Sequence, residues 1–239
     1  MDQYRHEIKY IISHAQIPLL RARIEPYMRL DPHATAEGLY TIRSVYFDDY
    51  YNTCYYDNEN GTDPREKFRI RIYNHSSDRI GLECKRKERG KTLKKSCMLT
   101  KSQAEMLINC DEIVIEDQLP LLRKMLLQVN TRLLRPVTIV EYERIPYICQ
   151  FGNVRVTFDM NMSSSVCFDS FFCDHIPKRT IMPPGMHLLE VKFDEYLPDY
   201  IYGALNLGTL QQTSYSKYYL SRRYALKEGS KWIFLKNHF

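Results

Sequence analysis

Hydrophobic and polar residues alternate with a period of two along much of this chain. Because successive side chains of a β-strand point to opposite faces, this pattern predicts strands. The alternation recurs at residues 4–12, 40–47, 67–73, 80–86, 92–99, 137–145, 154–160 and 187–193. Turn-forming pairs between them are typical of tight connections between antiparallel strands, at Asn60-Gly61, Arg89-Gly90 and Gly152-Asn153. About eight such strands can close into a barrel with a usable interior.

Helical patterns interrupt the predicted sheet. Apolar residues follow Ser13 with helical spacing, at Ile17, Leu20, Ile24 and Tyr27. A capping-box pattern joins Thr100 to Gln103, and further helices are expected at about 118–129, 198–209 and 217–226. The chain shows no repeat, low-complexity tract or linker. We therefore predict one domain over residues 1–239, of the α+β class, with an antiparallel barrel of roughly eight strands and peripheral helices.

Composition agrees with a strand-rich globular protein. The chain is 44% hydrophobic and 26% charged, and its 19 Tyr and 10 Phe favour strands. A net charge of +5, from 34 Lys and Arg against 29 Asp and Glu, is too small to indicate a nucleic-acid-binding protein. Charge alone therefore leaves the function open.

Cysteine usage and hydropathy bear on the location of the protein. The seven cysteines are scattered and include no Cys-x-x-Cys pair, which favours reduced thiols over a zinc site or a disulfide framework. The N-terminal residues are charged and lack a signal-peptide core, and no run of about 18 apolar residues could form a transmembrane segment. We expect a soluble cytoplasmic protein, with attachment to a membrane through a partner and the oligomeric state left open.

The placement of charged residues within the strands is more informative than the net charge. One face of the first predicted strand carries Arg5, Glu7 and Lys9, and one face of the third carries Arg69 and Arg71. For a single strand, a solvent-facing side explains this pattern well. Over the whole set, however, about nine Lys or Arg share these faces with about three Glu, which is costly if the faces converge without a polyanion. Arginine suits such a ligand because it makes bidentate hydrogen bonds with phosphate oxygens.

The few glutamates on the same faces suggest a divalent cation. A metal ion bound between carboxylate and phosphate oxygens neutralises the charge that develops in phosphoryl transfer. Oxygen ligands favour Mg²⁺ or Mn²⁺, and no cluster of His and Cys indicates another metal.

At these residues the sequence resembles the triphosphate tunnel metalloenzymes (the CYTH-like superfamily), and among them the catalytic domain of the vacuolar transporter chaperone (VTC) family, a polyphosphate polymerase. The resemblance covers nearly the whole chain and rests on an ordered set of short motifs: Arg5-x-Glu7-x-Lys9-Tyr10, Ser44-Val45-Tyr46-Phe47-Asp48, Phe68-Arg69-Ile70-Arg71-Ile72-Tyr73, Leu82-Glu83-Cys84-Lys85, Tyr142-x-Arg144, Val154-Arg155-Val156-Thr157-Phe158-Asp159, Leu189-Glu190-Val191-Lys192 and Ser216-Lys217-Tyr218. The broader superfamily carries Glu-x-Glu-x-Lys in the first strand. Arg5 replaces the first of these glutamates here, as in the polymerase branch.

The resemblance implies a set of site residues inside the tunnel. The phosphate-binding residues would be Arg5, Lys9, Arg69, Arg71, Lys85, Lys94, Tyr142, Arg144, Arg155, Ser216 and Lys217. Within this set, the catalytic residues would be Lys9, Arg69, Arg71, Lys85, Arg144 and Arg155, joined by Glu190 as the metal ligand.

Several of these assignments have alternatives. Lys95 could take the place of Lys94, and Tyr142 could serve core packing instead of binding phosphate. Glu7 and Glu83 could be metal ligands, but we favour ion pairs that hold the basic residues in place. Asp159 is expected to neutralise a nearby arginine or to end a strand. The Tyr-rich segment 46–56 could form a lid, a tunnel wall or a partner surface.

The resemblance implies a polyphosphate polymerase that uses Mn²⁺ or Mg²⁺. It would transfer the terminal phosphate of ATP to orthophosphate, pyrophosphate or a growing inorganic polyphosphate chain. With water as acceptor, the same site would be a metal-dependent triphosphatase acting on tripolyphosphate or a nucleoside triphosphate. A non-catalytic polyphosphate-binding module would not need Glu190. Binding of nucleic acid is not expected, because most aromatic residues alternate to the face opposite the charges.

Overall fold

A curled antiparallel sheet forms the body of the protein. The computed structural model describes residues 4–111, 119–223 and 226. Its strands are β1 (His6–Ser13), β2 (Arg29–Leu30), β3 (Tyr40–Asp48), β4 (Arg65–Tyr73), β5 (Ser76–Glu88), β6 (Lys91–Leu99), β7 (Arg135–Cys149), β8 (Val154–Ser165), β9 (Arg179–Thr180) and β10 (Met186–Phe193). The eight long strands coincide with the eight segments predicted from alternation. The short strands β2 and β9 carry too few residues for the pattern to reveal them.

The order of the long strands in the sheet is β1-β10-β8-β7-β3-β4-β5-β6, with β2 on β7 and β9 on β8. Every neighbouring pair is antiparallel. The two outer strands meet again beyond the sheet, where Arg5 and Thr92 exchange backbone hydrogen bonds of 3.0 and 2.9 Å. The sheet therefore curls round and closes at this end, which confirms the predicted antiparallel barrel.

Helices surround the sheet. They are α1 (Gln16–Ile24), α2 (Thr53–Glu59), α3 (Lys101–Asn109), α4 (Pro120–Arg132), α5 (Asp199–Leu205) and α6 (217–223), with 3-10 turns at Phe151–Asn153, Phe168–Ser170 and Leu207–Thr209. Position 118 and positions 224–225, included in two predicted helices, lie outside the described residues. The sequence pattern did not predict α2. The capping box is present, since Thr100 and Gln103 exchange side chain to backbone hydrogen bonds of 3.2 and 3.0 Å.

Two of the three apolar clusters lie on the outer surface of the barrel, beneath the helices. The third lies on inward-facing positions of β3 and β7. One cluster packs β4 and β5 against α3 and α4, and includes Phe68, Ile70, Leu82, Leu107 and Met125. A second packs β8 and β10 against α1 and α5, and includes Val156, Leu189, Leu20, Ile24 and Ile201. Each fully buried side chain of this kind contributes about 1.5–3 kcal/mol. The apolar side chains of these strands pack outward against the helices. Because alternate side chains point to opposite faces, the charged side chains of the same strands point into the barrel.

The chain between α5 and α6 runs along the free edge of β1. Gln212 pairs with Tyr10, and the Thr213 amide donates a 2.8 Å hydrogen bond to the Lys9 carbonyl. Helix α6 then starts against the barrel, where the Tyr218 hydroxyl donates a hydrogen bond to the buried Asp48 carboxylate. The C-terminal part of the described chain thus becomes part of the barrel wall.

No helix among the described residues is long and apolar enough to cross a membrane. All seven cysteines lie in the described part of the chain and are free thiols.

Candidate functional site

The barrel encloses a strongly basic cavity of about 410 Å³. Residues of seven strands line it, together with residues of α2, of the Arg89-Gly90 hairpin, of the segment before α6 and of α6 itself. Ten of the lining residues are Lys or Arg and two are Glu. The basic ones are Lys9, Arg65, Lys67, Arg69, Arg71, Lys85, Lys87, Arg144, Lys192 and Lys217, and the acidic ones are Glu7 and Glu190. This excess of positive charge indicates a polyanionic ligand.

Glu83 holds the cations of β4 in place. It accepts hydrogen bonds of 2.7 and 2.6 Å from Arg69 and lies 3.9 Å from an Arg71 guanidinium nitrogen. Burial alone would raise the pKa of Glu83, but the charges of Arg69 and Arg71 hold it well below its usual range. Glu83 therefore stays ionised and fixes both guanidinium groups at the cavity wall, which is the ion-pair role expected for it.

Asp159 has the same function on the opposite wall. Its fully buried carboxylate accepts hydrogen bonds of 2.6 and 2.8 Å from Arg144, and the Lys217 ammonium lies 2.6 Å away. Burial opposes ionisation, but Arg144 and Lys217 lower the pKa of Asp159. Lys217 belongs to α6, so this ion pair also ties the C-terminal helix to the barrel.

Tyr142 packs in the cavity wall, as one of its two alternatives expected, and its binding of phosphate stays a prediction. Its side chain is 3% exposed, and its hydroxyl accepts a 3.3 Å hydrogen bond from Arg71. The charged ends of Arg144 and Lys217 lie 5.3 and 4.7 Å from the ring centroid, within the range of cation–π attraction. Tyr142 thus packs in the wall and orients three cations of the cavity.

Glu7 and two lysines form a third buried ion-pair group. Lys85 donates hydrogen bonds of 2.8 and 2.6 Å to the two oxygens of Glu7, and Lys9 lies 2.9 Å from the same carboxylate. Burial would raise the pKa of Glu7, but Lys85 and Lys9 lower it to about 2. The prediction that Glu7 acts as an ion-pair partner agrees with this geometry.

Glu190 lies in the cavity wall between three cations. One carboxylate oxygen lies 3.2 Å from Arg144 and 3.4 Å from Lys192, whereas the other lies 3.8 Å from Lys9. Despite burial, these charges hold the pKa of Glu190 well below its usual range. The group is therefore an ionised carboxylate with one oxygen beyond hydrogen-bond distance of the Lys9 ammonium.

The donor set around Glu190 fits one mode of metal binding. Within the described residues, no group of three or more His, Cys, Asp or Glu could hold a metal ion. Mg²⁺ and similar hard cations commonly bind one or two carboxylates together with phosphate oxygens and water. Glu190, with Glu7 on the other side of Lys9, fits a cation shared with a phosphate ligand and does not fit one held by protein groups alone.

Three residues predicted to bind phosphate do not line the cavity. Arg5 pairs with Asp194 at 2.9 Å and also hydrogen-bonds the Asn153 carbonyl at the rim of the barrel. Arg155 faces the interior but donates hydrogen bonds of 2.7 and 2.8 Å to Asp31 and Tyr40. These partners hold both guanidinium groups away from the cavity.

Lys94 is the third such residue. It lies 3.3 Å from Glu83, with its side chain 51% exposed. Lys95 was the alternative to Lys94. Strand register favours Lys94, which pairs with inward-facing Lys85, whereas Lys95 pairs with Cys84 of the outer core. A role for Arg5, Arg155 and Lys94 in phosphate binding stays a prediction.

The other predicted site residues, Lys9, Arg69, Arg71, Lys85, Tyr142, Arg144, Glu190, Ser216 and Lys217, all line the cavity. The Ser216 hydroxyl accepts a 3.3 Å hydrogen bond from the Tyr219 amide, so the predicted helix start is present there. The Tyr-rich segment contributes Tyr46, whose hydroxyl accepts a 3.0 Å hydrogen bond from Arg69, whereas Tyr50 and Tyr51 are exposed.

Sequence reasoning left four basic lining residues out of the site: Arg65, Lys67, Lys87 and Lys192. The sequence pattern did indicate these residues, because each lies on the same face of its strand as a residue predicted for the site. Lys67, for example, precedes Arg69 by two positions, and Lys87 follows Lys85 by two.

Lys67 is an unusual member of this group. Its ammonium donates a 2.9 Å hydrogen bond to Asn58 and lies 4.8 Å from the Tyr218 ring centroid. Burial, together with the neighbouring cations Arg65, Lys85 and Lys9, lowers its pKa to about 7. Positive charge at this position therefore costs folding free energy.

A Lys67→Met variant should expose this cost in its pH dependence. In the unfolded chain Lys67 keeps its proton up to about pH 10.5, whereas the native protein releases it near pH 7. Between these values the unfolded state binds more protons, so the stability of the wild type rises with pH, by at most about 1.4 kcal/mol per pH unit from this residue. The variant lacks this rise. The amount by which its free energy of unfolding exceeds that of the wild type should be largest at neutral pH and should shrink as the pH rises.

Urea unfolding at a series of pH values measures this difference. Lys101→Met, which removes a charge from the exposed side of α3, is the control and should change the stability by at most about 1 kcal/mol. A difference between Lys67→Met and the wild type that stayed constant over the pH series would show that Lys67 keeps an ordinary pKa in the native protein.

Comparison with known proteins identifies the family. The model of the VTC domain matches residues 4–225. No curated protein sequence matches the chain significantly. The solved structures that are similar to this chain in fold include two proposed cyclases. One is a proposed adenylate cyclase from Bacillus halodurans, with 12% identity, a TM-score of 0.51, and coverage of 90% of this chain and 95% of the other.

The second structure is a proposed adenylyl cyclase from Hippeastrum with a dominant triphosphatase activity. It has 10% identity and a TM-score of 0.50, and the match covers 93% of this chain and 96% of the other. At such identities the likeness concerns the fold alone. Because the family match spans both walls of the basic cavity and the start of α6, the chain belongs to the VTC domain family.

Proposed function

We propose that this protein is a polyphosphate polymerase, which transfers the terminal phosphoryl group of ATP to a growing inorganic polyphosphate chain. The observation that carries the proposal is the cavity wall, where ten Lys or Arg face two Glu inside a closed barrel. Phosphoryl transfer needs little covalent help from protein groups, because positioning and charge stabilisation supply most of the acceleration. A rigid basic tunnel supplies both.

The ion pairs within the wall support catalysis as well as binding. Glu83 fixes Arg69, and Asp159 fixes Arg144 and Lys217, so these cations are oriented before any ligand arrives. Charges that are already oriented need no reorganisation when negative charge spreads over the transferred group. Arg69, Arg71 and Arg144 are therefore proposed to stabilise that charge, and Lys9, Lys85 and Lys217 to neutralise the remaining phosphates.

The metal is part of this proposal. Glu190 would hold Mn²⁺ or Mg²⁺ together with phosphate oxygens of the substrate. When bound, the cation would neutralise charge on the phosphates. Glu7 stays paired with Lys85 and Lys9 in this arrangement.

The reaction balances without a general base. An anionic oxygen of the terminal phosphate of the acceptor, which is orthophosphate, pyrophosphate or the polymer, forms a bond to the γ-phosphorus of ATP. The bond between that phosphorus and the oxygen bridging to the β-phosphate breaks, and ADP leaves with the electron pair. Because the attacking oxygen is already ionised, no side chain needs to remove a proton.

Hydrolysis is the alternative, with water as acceptor and tripolyphosphate or a nucleoside triphosphate as substrate. It is favoured by the Hippeastrum structure of the same fold, which has a dominant triphosphatase activity. Polymerisation is favoured by Arg5, which stands where the broader superfamily carries a glutamate. A module that only binds polyphosphate would not need the buried Glu190 carboxylate.

The decisive experiment incubates the purified protein with ATP and Mn²⁺ and resolves chain lengths and free phosphate on a gel. We expect long polymer and ADP. Free phosphate without polymer would identify a hydrolase, and the absence of both would identify a binding module. Arg69→Met should abolish the product, whereas Lys95→Met, which removes a charge outside the barrel, should not.

A further inference from the structure

The basic residues of the tunnel fall into two groups that differ in their ion pairs. The inner group is balanced by carboxylates. Glu83, Glu7 and Asp159 each contact two or more of its cations at 2.6–3.9 Å. These interactions fix the inner cations whether or not a ligand is present.

The outer group comprises Arg65, Lys67 and Lys87. It lies where β4 begins and β5 ends, at the mouth that the Arg89-Gly90 hairpin borders. Both hairpin residues have positive φ, 49° and 77°, which the tight turn between β5 and β6 requires. Gly90 and Thr92 complete the cavity lining at this mouth. We refer to Arg65, Lys67 and Lys87 as the mouth triad.

No member of the mouth triad has an ion pair with a carboxylate in the described structure. Arg65 donates a 2.8 Å hydrogen bond to the Thr62 carbonyl, and Lys67 to the Asn58 amide oxygen at 2.9 Å. Burial lowers the pKa of Lys87, and the charges of Arg65 and Lys9 lower it further. Glu7 and Asp63 act on Lys87 in the opposite direction, but neither forms an ion pair with it, so the triad is a cluster of positive charge without a carboxylate in direct contact.

Strand register makes this arrangement costly. Arg65 lies directly opposite Lys87 on the neighbouring strand, and Lys67 lies opposite Lys85. Like charges placed directly across an antiparallel pair destabilise the sheet. Two such pairs follow in succession on half-buried positions at the mouth, and of their four cations only Lys85 has a carboxylate partner, Glu7. A bound anion would neutralise the remaining three.

The triad also extends the tunnel beyond the reach of a triphosphate. Arg65 precedes Arg69 by four residues along β4, which corresponds to about 13 Å at the rise of a β-strand. This separation of the two Cα positions exceeds the span of three linked phosphates. The triad therefore adds positive charge along the tunnel where a phosphate chain longer than three units would continue.

We propose that the mouth triad is a separate subsite for phosphoryl groups of an inorganic polyphosphate chain beyond the first three, so that it selects long chains over triphosphates. The inference rests on the proposed function in so far as the tunnel binds polyphosphate. It holds equally whether the chain is being extended or hydrolysed.

Calorimetric binding without ATP turnover tests the subsite. Tripolyphosphate and a purified longer polyphosphate are titrated into wild-type protein, Lys87→Met, Lys67→Met and the outer-face control Lys95→Met. We expect each mouth variant to bind the longer chain at least about tenfold more weakly, equivalent to about 1.4 kcal/mol, and tripolyphosphate less than about twofold more weakly. The control should match the wild type for both ligands.

Thermal unfolding of the unliganded variants excludes misfolding as the cause. Since each mouth variant removes a repelled charge, its melting temperature should equal or exceed that of the wild type. Equal losses of affinity for both phosphate ligands, or no loss for the longer chain, would overturn the proposal.

ATP provides a third arm of the titration. The triad could in principle contact the phosphates of a nucleotide, and Lys87→Met would then weaken ATP binding as much as polyphosphate binding, which would also overturn the proposal. Failure of the gel assay to show polymer would reject the polymerase function but leave this binding result intact.

Discussion

Glu190→Gln is expected to lower turnover of ATP by roughly a hundred- to a thousandfold while leaving tripolyphosphate bound at least as tightly as in the wild type. The two effects have different causes. The carboxylate is the proposed ligand of the divalent cation, so its loss removes charge stabilisation during transfer. It is also a negative charge inside a phosphate site, so its loss reduces repulsion of the ligand.

Steady-state kinetics over a range of Mn²⁺ concentrations, combined with calorimetry, measures both effects. Glu7→Gln is the matched control, because it removes an equally buried carboxylate that pairs with Lys85 and Lys9. Glu7→Gln should mainly lower the free energy of unfolding, and it should change the response of turnover to Mn²⁺ less. If Glu190→Gln kept wild-type turnover and the same response to Mn²⁺, Glu190 would not be the metal ligand.

Asp159→Asn should destabilise the protein by about 3–5 kcal/mol, because it leaves Arg144 and Lys217 buried without their shared carboxylate. The change preserves the size of the side chain, so the loss reports charge and hydrogen bonding. Urea unfolding at neutral pH measures it. Asp194→Asn is the control, since its ion pair with Arg5 lies at the partly exposed rim and should contribute at most about 1 kcal/mol.

The pH dependence gives a second test of Asp159. Its pKa is lower in the native protein than in the unfolded chain, where it is about 3.8. The resulting stability is fully present above that value and is lost as the pH falls through the native pKa. The difference between wild type and Asp159→Asn should therefore narrow on acidification. A difference that stayed constant under acid would mean that folding does not shift the pKa of this carboxylate.

The sequence allowed the barrel and most of the site to be predicted because both depend on strand phase. Arg69 and Arg71 alternate with Phe68 and Ile70, and the structure places the first pair in the cavity and the second in the outer core. A period of two is a local property, so it is readable without knowledge of the fold. The basic residues were in excess on one face of these strands, and this excess indicated which face points into the barrel.

Features that depend on contacts distant in sequence could not be predicted in this way. The partners of Arg5 and Arg155, Asp194 and Asp31, belong to segments outside the predicted strands. Their positions depend on the closure of the barrel. Lys217 was predicted from family resemblance, but its ion pair with Asp159 joins residues on α6 and β8 that only the folded chain brings together.

The position of β1 in the sheet has a consequence for how the protein is made. During synthesis β1 leaves the ribosome first, but its partner β10 begins only at Met186. Strands β3 to β6 are consecutive neighbours, so they can pair while the chain is still growing. Glu7 and Lys9 on β1 can meet Glu190 on β10 only after β10 has been synthesised. The basic cavity is therefore incomplete until β10 has joined β1 in the sheet.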